Sequence, residues 1–339
     1  MSEKVEVAIT IPLPDELVDE IRKVSEFINV RVHPARDLEE IPEEVWDKVE
    51  VLYTMHTLPR PEQAPNLKWV QSYLSGVEKI LDDELFAKGE VALTTMSGAN
   101  ASQVAEHVLT MILALGHDLP KFSRLQFESK WMEEKGRQYV PREVRGSTVG
   151  VIGYGSIGRQ VARLVTGMGA EVLAVKRDAM SPAHHGYSAE GLGDPEGDRF
   201  TRLYPPEAIG SMVKMCDFVV VSVPKTEETA GLVGQAQLAS MKPSAFLIDV
   251  SRGGVVDNAA LVEALREGRI GGAALDVFPE EPLPEDSPLW SLPNVIITPH
   301  VAGFSPMYNQ RANDLFIENL TRYLSGQVLL NLVKQEREY

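Results

Sequence analysis

The stretch "TVGVIGYGSIGRQ", residues 148–160, decides the fold of this chain. It begins as an apolar strand, passes through Gly153, Gly155 and Gly158 in the spacing G-x-G-x-x-G, and continues as an amphipathic helix. The first glycine permits a tight turn, the second leaves space for a pyrophosphate, and the third lets the helix pack closely against the strand. The helix N-terminus directs unpaired N–H groups at that phosphate. The stretch therefore predicts a dinucleotide-binding turn, with a tight turn that binds no ligand as the alternative.

Apolar stretches around this turn predict a parallel sheet. They are rich in Val, Ile and Ala, as strands buried on both faces are, and helical stretches separate most of them. The six predicted strands are 148–153, 171–176, 218–223, 245–250, 272–277 and 294–299. Six strands with helices between them are typical of a doubly wound, Rossmann-type α/β sheet. The connection at 177–208 is rich in Gly, Pro and Asp and is long for a compact domain.

The first hundred residues also alternate between strands and helices. Strands are predicted at 5–10, 49–54 and 67–73, with a helix at 15–24. This alternation again indicates a parallel α/β sheet. The helical end of the chain, 305–326, is expected to return to this first sheet. We therefore expect a smaller, discontinuous, flavodoxin-like substrate domain at 1–100 and 305–339, and a dinucleotide-binding domain at 101–304.

Composition excludes several classes of function. The chain has 33 basic and 49 acidic residues and a formal charge of −16, which disfavours nucleic acid as a partner. Its one cysteine, Cys216, excludes an internal disulfide framework and a multi-thiolate metal site, and fits the cytoplasm. No signal peptide and no membrane span are expected. The adjacent histidines His184 and His185 are interpreted as part of a solvated loop, so no metal is expected.

A basic pair, Lys176 and Arg177, follows the second predicted strand of the cofactor domain. In dinucleotide-binding folds, an acidic residue about 20 positions after the glycines accepts hydrogen bonds from the ribose hydroxyls. Two cations would instead attract the 2′-phosphate of NADP. NADP is therefore favoured over NAD as the cofactor. The alternative is that both side chains are solvated and that NAD binds without the usual carboxylate. We also expect the long loop 177–208 to shape the 2′-phosphate pocket.

Four polar residues lie at or beyond the ends of later strands. They are Arg252, Asp276, Glu281 and His300. Ligands of open α/β sheets bind outside the carboxyl ends of the strands, so these residues are expected to converge near the nicotinamide end of the cofactor. Arg252 could instead cap a helix or pair with Asp257.

The motifs "GYGSIGR", "DVSRGGVVD", "ALDVFPEEPLP" and "ITPHVAGF" occur here in a familiar order and spacing. From about residue 70 onward, the chain resembles the NAD(P)-dependent D-isomer-specific 2-hydroxyacid dehydrogenases. This family includes glyoxylate/hydroxypyruvate reductases and phosphoglycerate dehydrogenases. The stretch "YLSGVEKI", 73–80, resembles the substrate-side loop of the family. The basic pair at 176–177 departs from the acidic position of NAD-dependent members.

The resemblance implies a role for each residue. Arg252 would bind the substrate carboxylate and polarise the keto oxygen, and His300 would be the acid/base. Glu281 would pair with His300 and favour its protonated form, although the adjacent Glu280 is the alternative partner. Asp276 would bind the nicotinamide carboxamide. Backbone N–H groups around the substrate loop, Ser75, Gly76 and Val77, would hold the carboxylate. The other implied cofactor contacts are Ser156, Ile157, Val223, Pro224, Thr229, Val250, Ser251 and Gly303.

These roles predict an enzyme that transfers a hydride between a nicotinamide cofactor and a small 2-keto or D-2-hydroxy acid. A glyoxylate/hydroxypyruvate-type reductase is favoured. The alternatives are a D-3-phosphoglycerate dehydrogenase-like enzyme and a dinucleotide-sensing, corepressor-like binding protein. The phosphoglycerate alternative has Lys79 and Arg60 as its only suggested phosphate contacts. A homodimer is expected through the helix at 100–119 and the segment 122–146, with a linker between domains as the alternative.

Overall fold

A computed structural model describes residues 4–78, 80–133 and 139–334 of the chain. The chain divides into two compact units. The first comprises Met1–Asn100, His185–Tyr187 and Ser305–Tyr339, and the second comprises Ala101–His184 and Ser188–Phe304. Lys79 and residues 134–138, which belong to stretches singled out in the sequence, lie outside the described residues.

Within its described residues, the first unit contains a five-stranded sheet in which all neighbouring strands are parallel. Its strands are β1 (Val5–Ile9), β2 (Ile28–Val32), β3 (Val51–Thr54), β4 (Trp69–Ser72) and β5 (Ala92–Thr94). The order β2-β1-β3-β4-β5 is that of flavodoxin-like folds. Strands β2 and β5 were not predicted from the sequence. In β2 the residues are mostly half-buried, and β5 has three residues, so neither carries a strong apolar pattern.

The second unit contains a parallel sheet of seven strands among the described residues. They are β6 (Thr148–Ile152), β7 (Glu171–Val175), β8 (Arg202–Tyr204), β9 (Phe218–Val221), β10 (Phe246–Asp249), β11 (Gly272–Leu275) and β12 (Val295–Ile297). The order β12-β11-β10-β9-β6-β7-β8 reverses direction at β6, as in a doubly wound sheet. The predicted α/β class is therefore confirmed.

The prediction of six strands in this sheet was wrong by one. Strand β8 lies inside the stretch 177–208 that was predicted to be a loop. It has three residues, pairs only with β7, and begins with the exposed Arg202. Short edge strands that carry charge resist further strand pairing, and they lack the apolar run from which a buried strand is recognised.

Helices cover both faces of the seven-stranded sheet. On one face, Val219 belongs to the same apolar cluster as Leu261 of the helix Asn258–Arg266. On the other face, the neighbouring Val220 packs with Val108 of the helix Ala101–Gly116. Successive strand residues point to opposite faces, so this division follows from the strand geometry. The carboxyl ends of the strands are thereby left as the exposed edge where polar groups collect.

Nine α-helices lie among the described residues, and the short ones Glu43–Trp46, Ile209–Val213 and Gln235–Ser240 were not predicted from the sequence. The bounds of all nine are Asp15–Arg22, Glu43–Trp46, Ala101–Gly116, Leu119–Phe127, Ser156–Gly167, Ile209–Val213, Gln235–Ser240, Asn258–Arg266 and Tyr308–Leu324, with 3₁₀ turns at Leu38–Glu40, Pro206–Ala208 and Pro288–Ser291. The single helix predicted at 100–119 ends at Gly116, and a second helix begins at Leu119 after Asp118, whose φ is 54°.

In the part of the chain that the structure describes, no helix combines the length and the apolar character needed to span a bilayer.

Candidate active site

The glycine-rich turn has the geometry of a phosphate cradle. Gly153 has a φ of +104°, and a Cβ there would lie 2.8 Å from the Cγ1 of Val223. A Cβ on Gly158 would lie 2.2 Å from the carbonyl oxygen of Gly153, whereas a Cβ on Gly155 would meet nothing within 4 Å. The helix Ser156–Gly167 begins there without a side-chain cap from Gly155. The open space at the middle glycine and the uncapped helix end together fit the pyrophosphate of a dinucleotide.

The acid/base candidate and its partner are in direct contact. The Nδ1 of His300, after β12, lies 2.8 Å from the Oε2 of Glu281, in the loop after β11. The backbone N–H of Phe278 donates to the Oε1 of the same carboxylate over 3.0 Å. Of the two adjacent glutamates considered from the sequence, the structure brings Glu281 to the histidine. Because the hydrogen bond with Glu281 occupies Nδ1, Nε2 is the ring nitrogen that can exchange a proton with a substrate.

Close backbone contact brings the loop of Arg252 to the loop of Glu281. A Cβ on Gly253 would lie 1.8 Å from the carbonyl oxygen of Phe278, so only glycine permits this approach. The Nη1 of Arg252 donates to the carbonyl oxygen of Ser251 over 2.9 Å. Asp257, the alternative partner considered for Arg252, accepts N–H groups of its own helix as the N-cap. Arg252 therefore lies beside the carboxylate–histidine pair.

The charge environment keeps Glu281 ionised. Partial burial works to raise the pKa of its carboxyl group, but hydrogen bonds from His300 and from the Phe278 N–H and the positive charge of Arg252 outweigh that effect. The pKa of Glu281 is consequently below its ordinary value. This carboxylate lies 2.8 Å from Nδ1 of the imidazole ring of His300.

Asp276 fixes the loop that carries His300. Its carboxylate accepts the hydroxyl of Thr298 over 2.6 Å and the N–H groups of Val301 and Ala302 over 2.9 Å each. His300 lies in the left-handed region with a φ of 54°, a conformation that a non-glycine residue adopts only when its surroundings hold it. The nicotinamide contact predicted for Asp276 stays a prediction. The structure also shows that Asp276 positions the loop of His300, which the sequence did not reveal.

His107 supports the same loop from the helix Ala101–Gly116. Its Nε2 lies 3.3 Å from the hydroxyl oxygen of Thr298. Burial lowers the pKa of His107, and the charge of Asp276 opposes this shift without cancelling it. Its contact with Thr298 shows that His107 borders the candidate active site.

The other predicted cofactor contacts follow the carboxyl ends of β6, β9, β10 and β12, at the same edge of the sheet. Thr229 closes the turn after β9, because its hydroxyl donates to the carbonyl oxygen of Pro224 over 2.7 Å. After β10, the hydroxyl of Ser251 donates to Asp249 over 2.5 Å, and burial raises the pKa of Asp249 to about 6. The residues placed along this edge are Ser156, Ile157, Val223, Pro224, Thr229, Val250, Ser251 and Gly303.

The predicted substrate loop belongs to the first unit. Ser75, Gly76 and Val77 follow the carboxyl end of β4. The hydroxyl of Ser75 donates to the carbonyl oxygen of Met96 over 3.1 Å, and Val77 is buried. The loop is therefore fixed within its own unit by a hydrogen bond and by an apolar anchor.

The structure gives Lys176 a different partner from the one expected. Its Nζ donates to the carbonyl oxygens of Ser181 and Ala183, the second at 3.3 Å. Burial lowers the pKa of this ammonium group, and the nearby positive charge of Arg159 acts in the same direction. Lys176 thus holds the beginning of the long loop 177–208. As a ligand of the 2′-phosphate it stays a prediction, but one that this loop contact disfavours.

Sequence reasoning missed a buried cluster formed by Arg159, Asp194 and Tyr154. The guanidinium of Arg159 is fully buried and donates to the carbonyl oxygens of Asp194 and Pro182 over 2.7 and 2.5 Å. The hydroxyl of Tyr154 donates to the Asp194 carboxylate over 2.6 Å. The position of Arg159 directly after the glycine motif was the sequence signal that could have drawn attention to it. Its partner Asp194 lies 35 residues away, in a stretch whose sequence shows no strand or helix periodicity.

We expect Asp194→Ala to lower the free energy of unfolding by about 3 kcal/mol, because it removes the carboxylate that lies 3.9 Å from the buried guanidinium of Arg159 and accepts the hydroxyl of Tyr154. Urea unfolding of the variant and of the unaltered protein measures this difference. Glu196→Gln removes an exposed charge from the same loop and is the matched control. An Asp194→Ala variant as stable as the control would contradict the structural importance of the cluster.

Comparison with known proteins gives consistent matches across the chain. Residues 109–302 match the family model described as D-isomer specific 2-hydroxyacid dehydrogenase, NAD binding domain. Glyoxylate reductase of Thermococcus gammatolerans is 32% identical over 346 residues, covering 98% of this chain and 97% of the relative. D-3-phosphoglycerate dehydrogenase of Archaeoglobus fulgidus is 30% identical over 330 residues, covering 96% of this chain and 59% of the relative. The crystal structure of a D-isomer specific 2-hydroxyacid dehydrogenase from Xanthobacter autotrophicus Py2, in complex with NADPH and MES, is 30% identical, covers both chains fully and superposes with a TM-score of 0.80.

Proposed function

Because the chain belongs to the D-isomer specific 2-hydroxyacid dehydrogenase family, we propose that it reduces a small 2-keto acid of the glyoxylate or hydroxypyruvate type to the D-2-hydroxy acid, with NADPH preferred as cofactor. The observation that carries this proposal is the Glu281–His300 hydrogen bond of 2.8 Å, beside Arg252 at the carboxyl edge of the sheet. These three residues combine an acid/base group with a positive charge that can bind a carboxylate substrate.

Arg252 is proposed to bind the substrate carboxylate and to polarise the keto oxygen. A guanidinium is always charged and presents parallel N–H donors that match a carboxylate. Its position beside Glu281 and His300 places that positive charge next to the proton donor. Backbone N–H groups of Ser75, Gly76 and Val77 remain the predicted second set of donors to the carboxylate.

His300 is proposed to give its Nε2 proton to the keto oxygen during reduction. Glu281 holds Nδ1 and, being ionised, stabilises the imidazolium from which that proton leaves. Asp276 keeps the ring in place through the N–H groups of Val301 and Ala302. When bound, the nicotinamide supplies the hydride that reaches the carbonyl carbon.

The cofactor is proposed to bind along the same edge, with its pyrophosphate at Gly153, Gly155 and Gly158. The preference for NADP depends on Arg177, since the loop holds Lys176. The usual position of the ribose-binding carboxylate is occupied by Lys176, and the guanidinium of the adjacent Arg177 suits a phosphate. The NADPH complex of the relative from Xanthobacter autotrophicus Py2 supports this preference.

The glyoxylate reductase reading is supported by relatives of that name that are 30–34% identical to this chain, and phosphoglycerate oxidation is the alternative. Of the two suggested phosphate contacts, Arg60 is exposed and Lys79 lies outside the described residues. The family match and the glyoxylate reductase relatives support an enzyme over a corepressor-like protein that only binds a dinucleotide.

A homodimer in the cytoplasm is part of the proposal. Large apolar side chains are exposed on one short segment of the second unit, among them Leu119, Phe127 and Trp131. Exposed apolar side chains close together in sequence support an interaction surface, and this segment lies where the sequence suggested a dimer contact. The single Cys216 is buried, which suits a reducing compartment.

Steady-state oxidation of NADPH and of NADH, each with glyoxylate and with hydroxypyruvate, tests the proposed function. We expect turnover with at least one of the two acids and a kcat/KM for NADPH about tenfold or more above that for NADH, since a charge-assisted hydrogen bond contributes about 1.5–3 kcal/mol. Turnover with NADH alone would overturn the cofactor preference. Binding of NADPH without turnover of any 2-keto acid would overturn the proposed reaction.

A further inference from the structure

An ion pair crosses the carboxyl edge of the second unit's sheet above the glycine-rich turn. Arg177 follows β7, and Glu228 lies in the loop after β9. The Nη2 of Arg177 is 2.9 Å from the Oε2 of Glu228. Strand β6 lies between β7 and β9 and leads into the glycine turn. The pair therefore bridges the two loops on either side of the place where the adenosine half of a dinucleotide binds.

Both partners are held in position by their own loops. Arg177 comes directly after Lys176, whose N–H donates to the carbonyl oxygen of Tyr204 over 3.1 Å and whose ammonium holds the following loop. Glu228 stands immediately before Thr229, which closes its turn by a hydrogen bond of 2.7 Å to the carbonyl oxygen of Pro224. The contact between the two side chains thus follows from fixed backbone positions.

We propose that Glu228 is a specificity-determining residue, which competes with the 2′-phosphate of NADPH for the guanidinium of Arg177. This inference rests on the proposed function, because it assumes a nicotinamide dinucleotide at the glycine turn. A 2′-phosphate next to Arg177 must displace the carboxylate and is also repelled by it. A 2′-hydroxyl carries no charge and can donate a hydrogen bond to that same carboxylate. Glu228 therefore weakens NADPH binding selectively and reduces the difference between the two cofactors.

The effect is expected to be moderate and sensitive to salt. The side chain of Glu228 is 74% exposed and that of Arg177 is 38% exposed, so solvent screens their attraction. Removing the charge of Glu228 is expected to tighten the binding of a 2′-phosphorylated ligand about fivefold. The gain is expected to shrink as ionic strength rises.

Calorimetric titration of the full chain with 2′,5′-ADP and with 5′-ADP isolates the adenosine end from the reaction. We expect Glu228→Gln to lower the Kd of 2′,5′-ADP about fivefold and to leave that of 5′-ADP unchanged or slightly raised. The same selectivity is expected between NADPH and NADH. Glu171→Gln removes an equal charge at the amino end of β7 and is the matched control, expected to leave all four dissociation constants unchanged.

A double-mutant cycle with Arg177→Ala identifies the mechanism. In the Arg177→Ala background, Glu228→Gln is expected to give a smaller gain for 2′,5′-ADP, because the group for which the two anions compete is gone. An equal gain for phosphorylated and unphosphorylated ligands, no gain, or an undiminished gain without Arg177 would each overturn the proposal. The titrations require no turnover. If they gave the expected affinities but the protein reduced no 2-keto acid, the proposed function would be overturned and the proposal for Glu228 would stand.

Discussion

His300→Asn is expected to lower kcat for glyoxylate reduction about a thousandfold while leaving the Kd of NADPH unchanged. General acid catalysis by a positioned side chain contributes about 10²–10⁴ in rate, and asparagine cannot donate a proton of comparable acidity. Asparagine is the suitable replacement because His300 has a φ of 54°, and asparagine tolerates this left-handed conformation. Steady-state kinetics gives kcat, and quenching of protein fluorescence by NADPH gives the Kd.

Two variants sharpen this test. Glu281→Gln keeps a hydrogen-bond acceptor for Nδ1 but removes the charge that favours the imidazolium, so a smaller loss in kcat of about tenfold or more is expected. His117→Asn changes an exposed histidine of the same unit and is the control, with kcat unchanged. If His300→Asn kept the kcat of the control, His300 would not be the proton donor.

Arg252→Ala is expected to reduce kcat/KM for glyoxylate about a thousandfold. Loss of one partner from a hydrogen-bonded charge pair costs about 2–5 kcal/mol, and each 1.4 kcal/mol corresponds to a factor of ten. The loss is expected in both kcat and KM, because the guanidinium is assigned to bind the carboxylate and to polarise the keto oxygen. The kinetic constants at saturating NADPH measure the two contributions.

Arg252→Lys separates charge from geometry. Lysine keeps the positive charge but lacks the planar pair of donors, so an intermediate loss of about a hundredfold is expected. Arg266→Ala removes an exposed arginine at the end of the helix Asn258–Arg266 and is the control for net charge. An Arg252→Ala variant with an unaltered KM for glyoxylate would contradict carboxylate binding by this side chain.

The parts of the fold that the sequence predicted are those with strong local signals. The glycine turn follows from three glycines, of which Gly153 and Gly158 leave no room for a Cβ and Gly155 leaves open space. The candidate catalytic residues were recognisable because each follows a strand predicted from an apolar run. The structure then brought Glu281 to His300 across the loops that follow β11 and β12.

The parts that the sequence did not predict depend on contacts between distant residues. The phosphate contact of Lys176 stays a prediction, but its contacts with carbonyl oxygens of the loop 177–208 could not be predicted from its place after β7. Arg159 meets Asp194 across 35 positions, and neither residue type predicts a buried pair. Strand β8 has too few residues to show a period. Position in the fold, rather than residue type, decides these roles.

Chiral chromatography of the glycerate formed from hydroxypyruvate and NADPH is the most direct test of the proposed reaction. The Glu281–His300 pair and Arg252, in a chain of this family, are expected to yield D-glycerate with one NADPH oxidised for each molecule formed. L-glycerate as the product, or NADPH binding with no glycerate formed, would contradict the assignment of these residues to stereospecific reduction of a 2-keto acid.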